Sequence, residues 1–132
     1  MAGKKVPLTL LDPVFSVCRL AANERVPKWA RGGSFSSVTR TPQELSVVCE
    51  QASVPTGVEA ESGWRCLMVQ GPLEFGEVGI LASLTAPLAA SQVSVFAISS
   101  YDTDFLLIKE ASLETAISSL REQGFRIDPE HS

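Results

Sequence analysis

The sequence predicts an α+β protein in two halves, on three observations. Residues 77–88 and 112–123 place apolar side chains at helical spacing, whereas several shorter runs are apolar and rich in β-branched residues. The stretch "EQASVPTGVEAESG", residues 50–63, is rich in Gly, Pro, Ser and Glu and has neither period, so it is predicted to connect the halves. An apolar content of 45% in 132 residues allows one modest core.

The first half is predicted to be mostly strand. "LTLLDPVFSVCRL" contains two short β-like runs interrupted at Asp12-Pro13, which fits two strands or one bulged edge strand. "SFSSVTRT" alternates along its length and "ELSVVCE" is a short β-branched run, so both are predicted strands. Thr41-Pro42 between them begins either a tight turn or a short helix. "NERVPKWARGG" is predicted to hold one short helix or an irregular loop, since Pro27 opposes anything longer.

The second half is predicted to contain four strands. "WRCLMVQG" reads as a buried strand that ends at Gly71-Pro72. Two apolar runs, Val93 to Ser100 and Asp104 to Glu110, are predicted to pair across the polar turn "SSYDTD". Phe125-Arg-Ile127 provides a final short strand.

Two helices are predicted between these strands. The first begins near Glu77 and runs about three turns, with Pro87 bending or loosening its last turn. Ser112 is predicted to cap the second, and Gly124 to end it. The order βαββαβ predicts an antiparallel four-stranded sheet with both helices on one face, the ferredoxin-like plan.

Composition excludes several classes of function. A net charge of −4 and a pI near 5.0, with no basic stripe, argue against nucleic-acid binding. The three cysteines are widely spaced in apolar runs, which is typical of buried thiols in a reducing compartment and not of disulfides or a metal site. Neither a signal peptide nor an apolar run of eighteen residues is evident, so no membrane association is predicted and the expected location is the cytoplasm.

The sequence offers little for catalysis, so the protein is predicted not to be an enzyme. Its one histidine is His131, and no cysteine has a nearby His or Lys partner along the chain. Asp102 and Asp104 lie two residues apart without a third acidic ligand, which is a weak metal signal. "GPLEFGEVG" lacks the spacing and the lysine of a phosphate-binding loop. We expect no cofactor and no metal.

The second half resembles a known family. "GILASLTAPLAASQVSVFAISSYDTDFLLIKEASLETAISSLREQGF" is similar to the ACT domain, a small ligand-binding regulatory module of aspartate kinases and other amino-acid enzymes. It most resembles the subgroup of stand-alone bacterial ACT proteins and eukaryotic cytosolic arginine sensors of the TOR pathway. The shared motifs are Ser83 followed by "APLA" after two residues, then "VSV", then the turn "SSYDTDF".

The first half carries the same resemblance in weaker form. "LLDPVFSVCRL" and "FSSVTRTPQELSVVCE" are similar to the degenerate N-terminal ACT-like half of those proteins, and the likeness fades in residues 21–33 and in the connection. The resemblance implies tandem ferredoxin-like ACT units. The predicted domains are a degenerate ACT-like half at 1–62, an ACT domain at 63–128 and a tail at 129–132.

The resemblance implies a non-catalytic sensor that binds a free amino acid between ACT units. A zwitterion needs donors for its carboxylate and acceptors for its ammonium, and the amides of a helix start suit the carboxylate. The loop Leu73 to Gly79 leads into such a helix, and Gly79 would let a ligand approach the backbone. Asp104 matches the subgroup's ligand-binding aspartate, and Ser83 with Leu84 matches a ligand-contacting pair on the helix. Ser100 and Tyr101 complete the predicted site.

Each site residue also has a purely structural interpretation. Asp104 could simply close the hairpin, and Ser83 could bond back to the carbonyl four residues earlier in its own helix. Leu84 is of a type that more often packs in a core, Tyr101 could cover the pocket or pack on the sheet edge, and Asp102 is expected to be a solvated turn residue.

Ligand identity and assembly stay open in the sequence. The chain has one copy of the paired arrangement that the sensors have twice, so arginine is a candidate ligand and an aromatic or aliphatic amino acid is equally admissible. A homodimer is expected and would form two equivalent sites. Whether the site lies within one chain or between two chains stays open, and any regulated protein partner is unknown. The alternative function is a protein interaction or assembly module with an empty or vestigial site.

Overall fold

The structure is a computed structural model that describes residues 6–71 and 79–130. Contacts divide it into a larger unit, Met1–Asp12 with Arg65–Ser132, and a smaller unit, Pro13–Trp64. The elements in chain order are β1 (Leu8–Leu20), a 3-10 helix (Lys28–Ala30), β2 (Ser37–Arg40), β3 (Leu45–Glu50), a 3-10 helix (Gln51–Ser53), β4 (Glu59–Val69), α1 (Ile80–Ala90), β5 (Phe96–Ser99), β6 (Asp104–Lys109), a 3-10 helix (Glu110–Ser112), α2 (Leu113–Glu122) and β7 (Ile127–Pro129).

The smaller unit is strand-rich, as predicted. Strand β3 pairs antiparallel with both β1 and β2, and single-turn 3-10 helices occupy the two positions where a βαββαβ unit has α-helices. A short helix therefore does form in "NERVPKWARGG". The chain turns between β2 and β3 through a bond from the Thr41 amide to the Glu44 carbonyl at 2.8 Å, so the tight-turn alternative is confirmed. The buried core of this unit comprises Cys18, Ala30, Leu45, Val47 and Cys49.

A close approach of backbone to side chain holds the loop before β2. The Ser34 amide donates to Glu50 Oε2 at 2.9 Å, and a Cβ added to Gly33 would lie 2.1 Å from the same oxygen. Gly33 also has φ +72°, where side chains other than glycine are strained. Gly32, with φ +89°, has no atom within 4 Å of such a Cβ.

The larger unit has the predicted βαββαβ order from β4 to β7, and the α+β fold is confirmed. Its core joins β4 (Leu67, Val69) and β6 (Leu106, Ile108) to both helices (Leu84, Leu88, Ala116, Leu120). Because alternate residues of a strand point to the same side, these contacts place both helices on one face of the sheet, as predicted. Each fully buried leucine contributes about 1.5–3 kcal/mol through its removal from water.

Both helices end in the same hydrogen-bonded motif. After α1, the Val93 amide donates to the Leu88 carbonyl and the Gln92 amide to the Ala89 carbonyl, with Gln92 at φ 61°. After α2, Phe125 and Gly124 make the equivalent bonds, with Gly124 at φ 94°, so the predicted end of this helix is confirmed. These are Schellman caps, in which the residue after the left-handed position packs against the last turn of the helix.

Strand β1 runs unbroken through Asp12-Pro13, although the sequence left two strands as an alternative. Residues 8–10 pair in parallel with β7, and residues 15–20 pair antiparallel with β3. Pro13 lies between these two registers, so its missing amide removes no bond from either ladder. The pairing of β7 with β1 was not predicted.

Four local predictions were wrong. Residues 125 and 126 of the predicted last strand precede β7. Residues 59–63 of the predicted connection belong to β4, and residues 93–95 of the predicted strand precede β5. Ser112 makes no side-chain cap bond, because a 3-10 turn leads into α2 and gives this residue φ −103° and ψ −2° in place of the extended conformation of a cap. The predicted domain boundaries at 62 and 128 stay a prediction.

Candidate functional site

The turn between β5 and β6 is closed by its own hydroxyl groups. The Ser100 amide donates to the Thr103 carbonyl at 2.8 Å, and the Ser100 hydroxyl donates to the same carbonyl at 3.0 Å. The Thr103 amide in turn donates to Ser100 Oγ at 3.4 Å. The polar residues that fill "SSYDTD" thus build a defined turn, as serine and threonine favour at chain reversals.

Asp104 begins β6 opposite Ser99, the last residue of β5. The Ser99 hydroxyl donates to Asp104 Oδ1 at 2.5 Å, which fixes the orientation of the half-buried carboxylate. Residues 104, 106 and 108 share one face of the strand, and Leu106 and Ile108 pack in the core beneath the helices. The Asp104 side chain therefore points to the helix-covered side of the sheet.

Thr103 is a buried residue that the sequence interpretation missed. Only 8% of it is exposed, and its Oγ1 donates to the Val69 carbonyl at 2.7 Å. Val69 is the last residue of β4, so this bond ties the β5–β6 turn to the end of that strand. The available signal is a β-branched hydroxyl residue directly before an apolar strand.

Among the described residues, no side chain caps the start of helix α1. Gly79 occupies the N-cap with φ 87° and ψ −1°, and the Ser83 amide makes the bond to its carbonyl at 2.8 Å. The amides of residues 80–82 precede that bond, and the first turn holds no acidic side chain to offset the positive end of the helix dipole. The start of α1 therefore favours an anionic group. Residues 73–78 of the predicted loop lie outside the described residues, and so does the predicted start of the helix near Glu77, which is one of them.

The predicted helix pair divides between surface and core. Ser83 is exposed, and its hydroxyl donates to the Ile80 carbonyl at 2.6 Å. This is the local bond within the helix that the structural interpretation of Ser83 predicts, except that the acceptor lies three residues earlier and not four. Leu84 is fully buried in the core of the larger unit, so its side chain packs with β4, β6 and α2. Ligand contact by this pair stays a prediction.

The remaining turn residues differ in exposure. Tyr101 is 79% exposed at the tip of the turn, and Asp102 beside it is also exposed. Ser100 uses its hydroxyl within the turn, as described above. The structure thus brings Ser100, Tyr101 and Asp104 together on one hairpin, while Gly79, Ser83 and Leu84 belong to α1.

The cysteines are not suited to act as nucleophiles. Cys18, Cys49 and Cys66 are free and buried. Burial raises the pKa of all three thiols, that of Cys49 to about 11 and that of Cys66 to about 12, whereas a reactive cysteine needs a lowered pKa. Within residues 6–71 and 79–130, no three His, Cys, Asp or Glu side chains group as metal ligands do, and no helix is long and apolar enough to cross a membrane. His131 lies outside those ranges.

Family models match most of the chain. The ACT domain model matches residues 59–122, and a model of an N-terminal domain matches residues 14–57. The cytosolic arginine sensor for mTORC1 subunit 1 of Pongo abelii is 36% identical over 136 aligned positions, which cover 90% of this chain and 40% of that protein. The rat protein of the same name is 31% identical with nearly the same coverage, 90% and 39%. The chain thus spans about two fifths of these curated relatives' length.

Solved structures agree on the fold. A crystal structure of an Agrobacterium tumefaciens protein is 37% identical, with a TM-score of 0.91 over 98% of this chain and 97% of that one. The regulatory subunit of aspartate kinase from Thermus thermophilus is 9% identical, with a TM-score of 0.60 over 85% of this chain and 93% of that one, so it shares the fold. The family model and the sensor relatives agree with the βαββαβ order of the larger unit, and residues 59–122 belong to the ACT domain family, as the resemblance of the second half implied.

Proposed function

We propose that this protein is a non-catalytic regulatory ACT protein that binds a free amino acid. One observation supports the proposal most. The bond from Thr103 to Val69 joins the residue before Asp104 to the end of β4, the hydrogen-bonded neighbour of β6, and α1 is the next helix along the chain. We infer that the Asp104 carboxylate and the first amides of α1 lie toward the same end of the sheet, because α1 is the next element after β4 along the chain.

These two features match the two ends of a zwitterion. The Asp104 carboxylate, oriented by Ser99, accepts hydrogen bonds from the ligand's ammonium group. The amides of residues 80–82 donate to the ligand's carboxylate, which also interacts favourably with the positive end of the helix dipole. Ser83, Ser100 and Tyr101 border these contacts, and Gly79 lets the ligand approach the backbone. Leu84 supports the helix from the core.

The site is proposed to form between the ACT domains of two copies of the chain. A two-fold axis would give two equivalent sites, in which the α1 start of one copy faces the β5–β6 turn of the other. Bound ligand then stabilises one packing of the two copies over another, and that difference in affinity is what a regulatory switch requires. The relatives named as cytosolic arginine sensors support a cytoplasmic location and make arginine the first ligand to try.

Thermal unfolding in the presence of each of the twenty amino acids tests this function. A ligand present at 100 times its dissociation constant adds about 2.7 kcal/mol to the free energy of unfolding. We expect one amino acid, or one chemical class, to raise the melting temperature in a concentration-dependent way. No shift with any amino acid at millimolar concentration would refute the sensor function.

An assembly module without a ligand is the second candidate. Strand β2 is at one edge of the sheet, and its Val38 is 43% exposed, an apolar side chain on a strand that can pair with another chain. Under this function no amino acid shifts the melting temperature, and Val38→Lys weakens capture of a partner protein without lowering stability. A wild-type protein that responds to an amino acid contradicts this candidate.

A further inference from the structure

Thr103 makes the bond that connects the β5–β6 turn to a third strand. The Ser99 and Ser100 hydroxyls bond within the hairpin itself, to Asp104 Oδ1 and to the Thr103 carbonyl. The Thr103 hydroxyl instead donates to the Val69 carbonyl at 2.7 Å, and this bond is buried. Strands β4 and β6 are hydrogen-bonded neighbours in the sheet, so the Thr103 side chain adds a bond at the end of their ladder, one residue before Asp104.

We propose that Thr103 is a positioning residue for the amino-acid site: its buried bond to Val69 sets where the Asp104 carboxylate stands at the end of β4. This inference rests on the proposed function. A binding group must be held to within about 0.5 Å of its productive place by neighbours that are themselves locked. A released turn would let the first residue of β6 shift while the rest of the strand, buried from Leu106 to Ile108, kept its place.

Three variants separate positioning from general stability. Thr103→Val keeps shape and β-branching but removes the donor, and it leaves the buried Val69 carbonyl without this bond. Thr103→Ser keeps the hydroxyl and loses one methyl group. Ser16→Ala is the matched control in the smaller unit, because Ser16 is fully buried and its hydroxyl bonds Ser62 Oγ at 2.9 Å. All three are expected to lose some stability.

Two measurements are made on each full-length variant. The first is hydrogen exchange of the Ser100 amide, which reports closure of the turn because its acceptor is the Thr103 carbonyl. The second is the dissociation constant, by calorimetry, of the amino acid found in the thermal screen. We expect Thr103→Val to speed this exchange at least about tenfold relative to the Leu120 amide and to weaken binding about tenfold or more. In Thr103→Ser we expect the exchange rate and the dissociation constant to stay within about threefold of the wild-type values. Ser16→Ala is expected to change neither quantity.

The outcomes decide between the proposals. Unchanged exchange or unchanged affinity in a folded Thr103→Val variant would overturn the positioning role, as would an equal loss of affinity in Ser16→Ala. If the wild-type protein binds no amino acid, the proposed function fails and the role in binding fails with it. The exchange data would in that case still establish whether Thr103 anchors the turn, so the two failures are distinguishable.

Discussion

Asp104→Asn removes one charge from the proposed site with little change of shape. Asparagine keeps an oxygen that can accept the Ser99 hydroxyl, and it is as common in turns as aspartate. Hydrogen bonds to charged acceptors contribute about 1.5–3 kcal/mol and those to neutral acceptors about 0.5–1.5 kcal/mol, so the free energy of unfolding should fall by about 1 kcal/mol. The protein should therefore remain folded.

Ligand affinity should fall by more than stability does. The charge-assisted bond between the ligand's ammonium and the carboxylate is replaced by a neutral contact, and one proton donor of the ligand meets an amide that can turn an N–H toward it. A loss of about 1.5–3 kcal/mol corresponds to a roughly 10- to 150-fold higher dissociation constant.

Calorimetric titration with the amino acid from the thermal screen measures this loss, with urea unfolding as the check on stability. Asp102→Asn is the matched control, since it removes the same charge from an exposed position two residues away. We expect the control to bind within about twofold of the wild type. Unchanged affinity in Asp104→Asn would show that Asp104 only closes the turn. Equal losses in both variants would show that net charge alone is responsible.

Three further predictions concern stability and are measured by urea unfolding. Gln92→Gly should raise the free energy of unfolding by about 0.5–1 kcal/mol, because glycine adopts the left-handed conformation of this position without strain. Gly124→Ala should lower the free energy of unfolding by about 1 kcal/mol, because it introduces that strain at the equivalent position after α2. Changes of the same sign in both variants would contradict the shared cap. Gly33→Ala should cost about 1–2 kcal/mol more than Gly32→Ala, because its Cβ would displace the carboxylate that accepts the Ser34 amide, and equal costs would argue against this contact. The raised pKa of Cys66 should reduce stability from pH 9 toward pH 12, since above its ordinary value of 9.0 the unfolded thiol releases its proton while the native thiol, with a pKa of about 12, keeps it. The loss is about 2 kcal/mol near pH 10.5, and an identical pH dependence in Cys66→Ala would refute it.

The order of elements in the larger unit could be predicted because burial repeats along each of them. In α1, Leu84 and Leu88 recur at helical spacing and are both fully buried, and in β6 the run from Leu106 to Ile108 has no polar residue. The start of β4 gives no such signal. Residues 59–62 are all exposed, so their strand conformation depends on backbone pairing that side-chain periodicity does not report.

The extent of β1 and the cap of α2 depend on tertiary context. Pro13 is tolerated within β1 because the strand changes partner around it, from β7 at residues 8–10 to β3 at residues 15–20. No local rule about proline contains that information. Ser112 is a residue type that commonly caps helices, yet the preceding 3-10 turn has already given it a helical conformation.

The site was only half accessible to sequence reasoning, for a physical reason. In "SSYDTD" the chemistry of each side chain is visible, but whether a hydroxyl faces a ligand or its own backbone depends on geometry. Ser99, Ser100 and Thr103 each donate their hydroxyl to a partner inside the protein, to Asp104, to the turn and to β4 respectively. These three hydroxyls therefore form a scaffold, and the group they orient is the Asp104 carboxylate. A ligand specificity that changed with Ser100→Ala but not with Asp104→Asn would reverse this division between scaffold and contact.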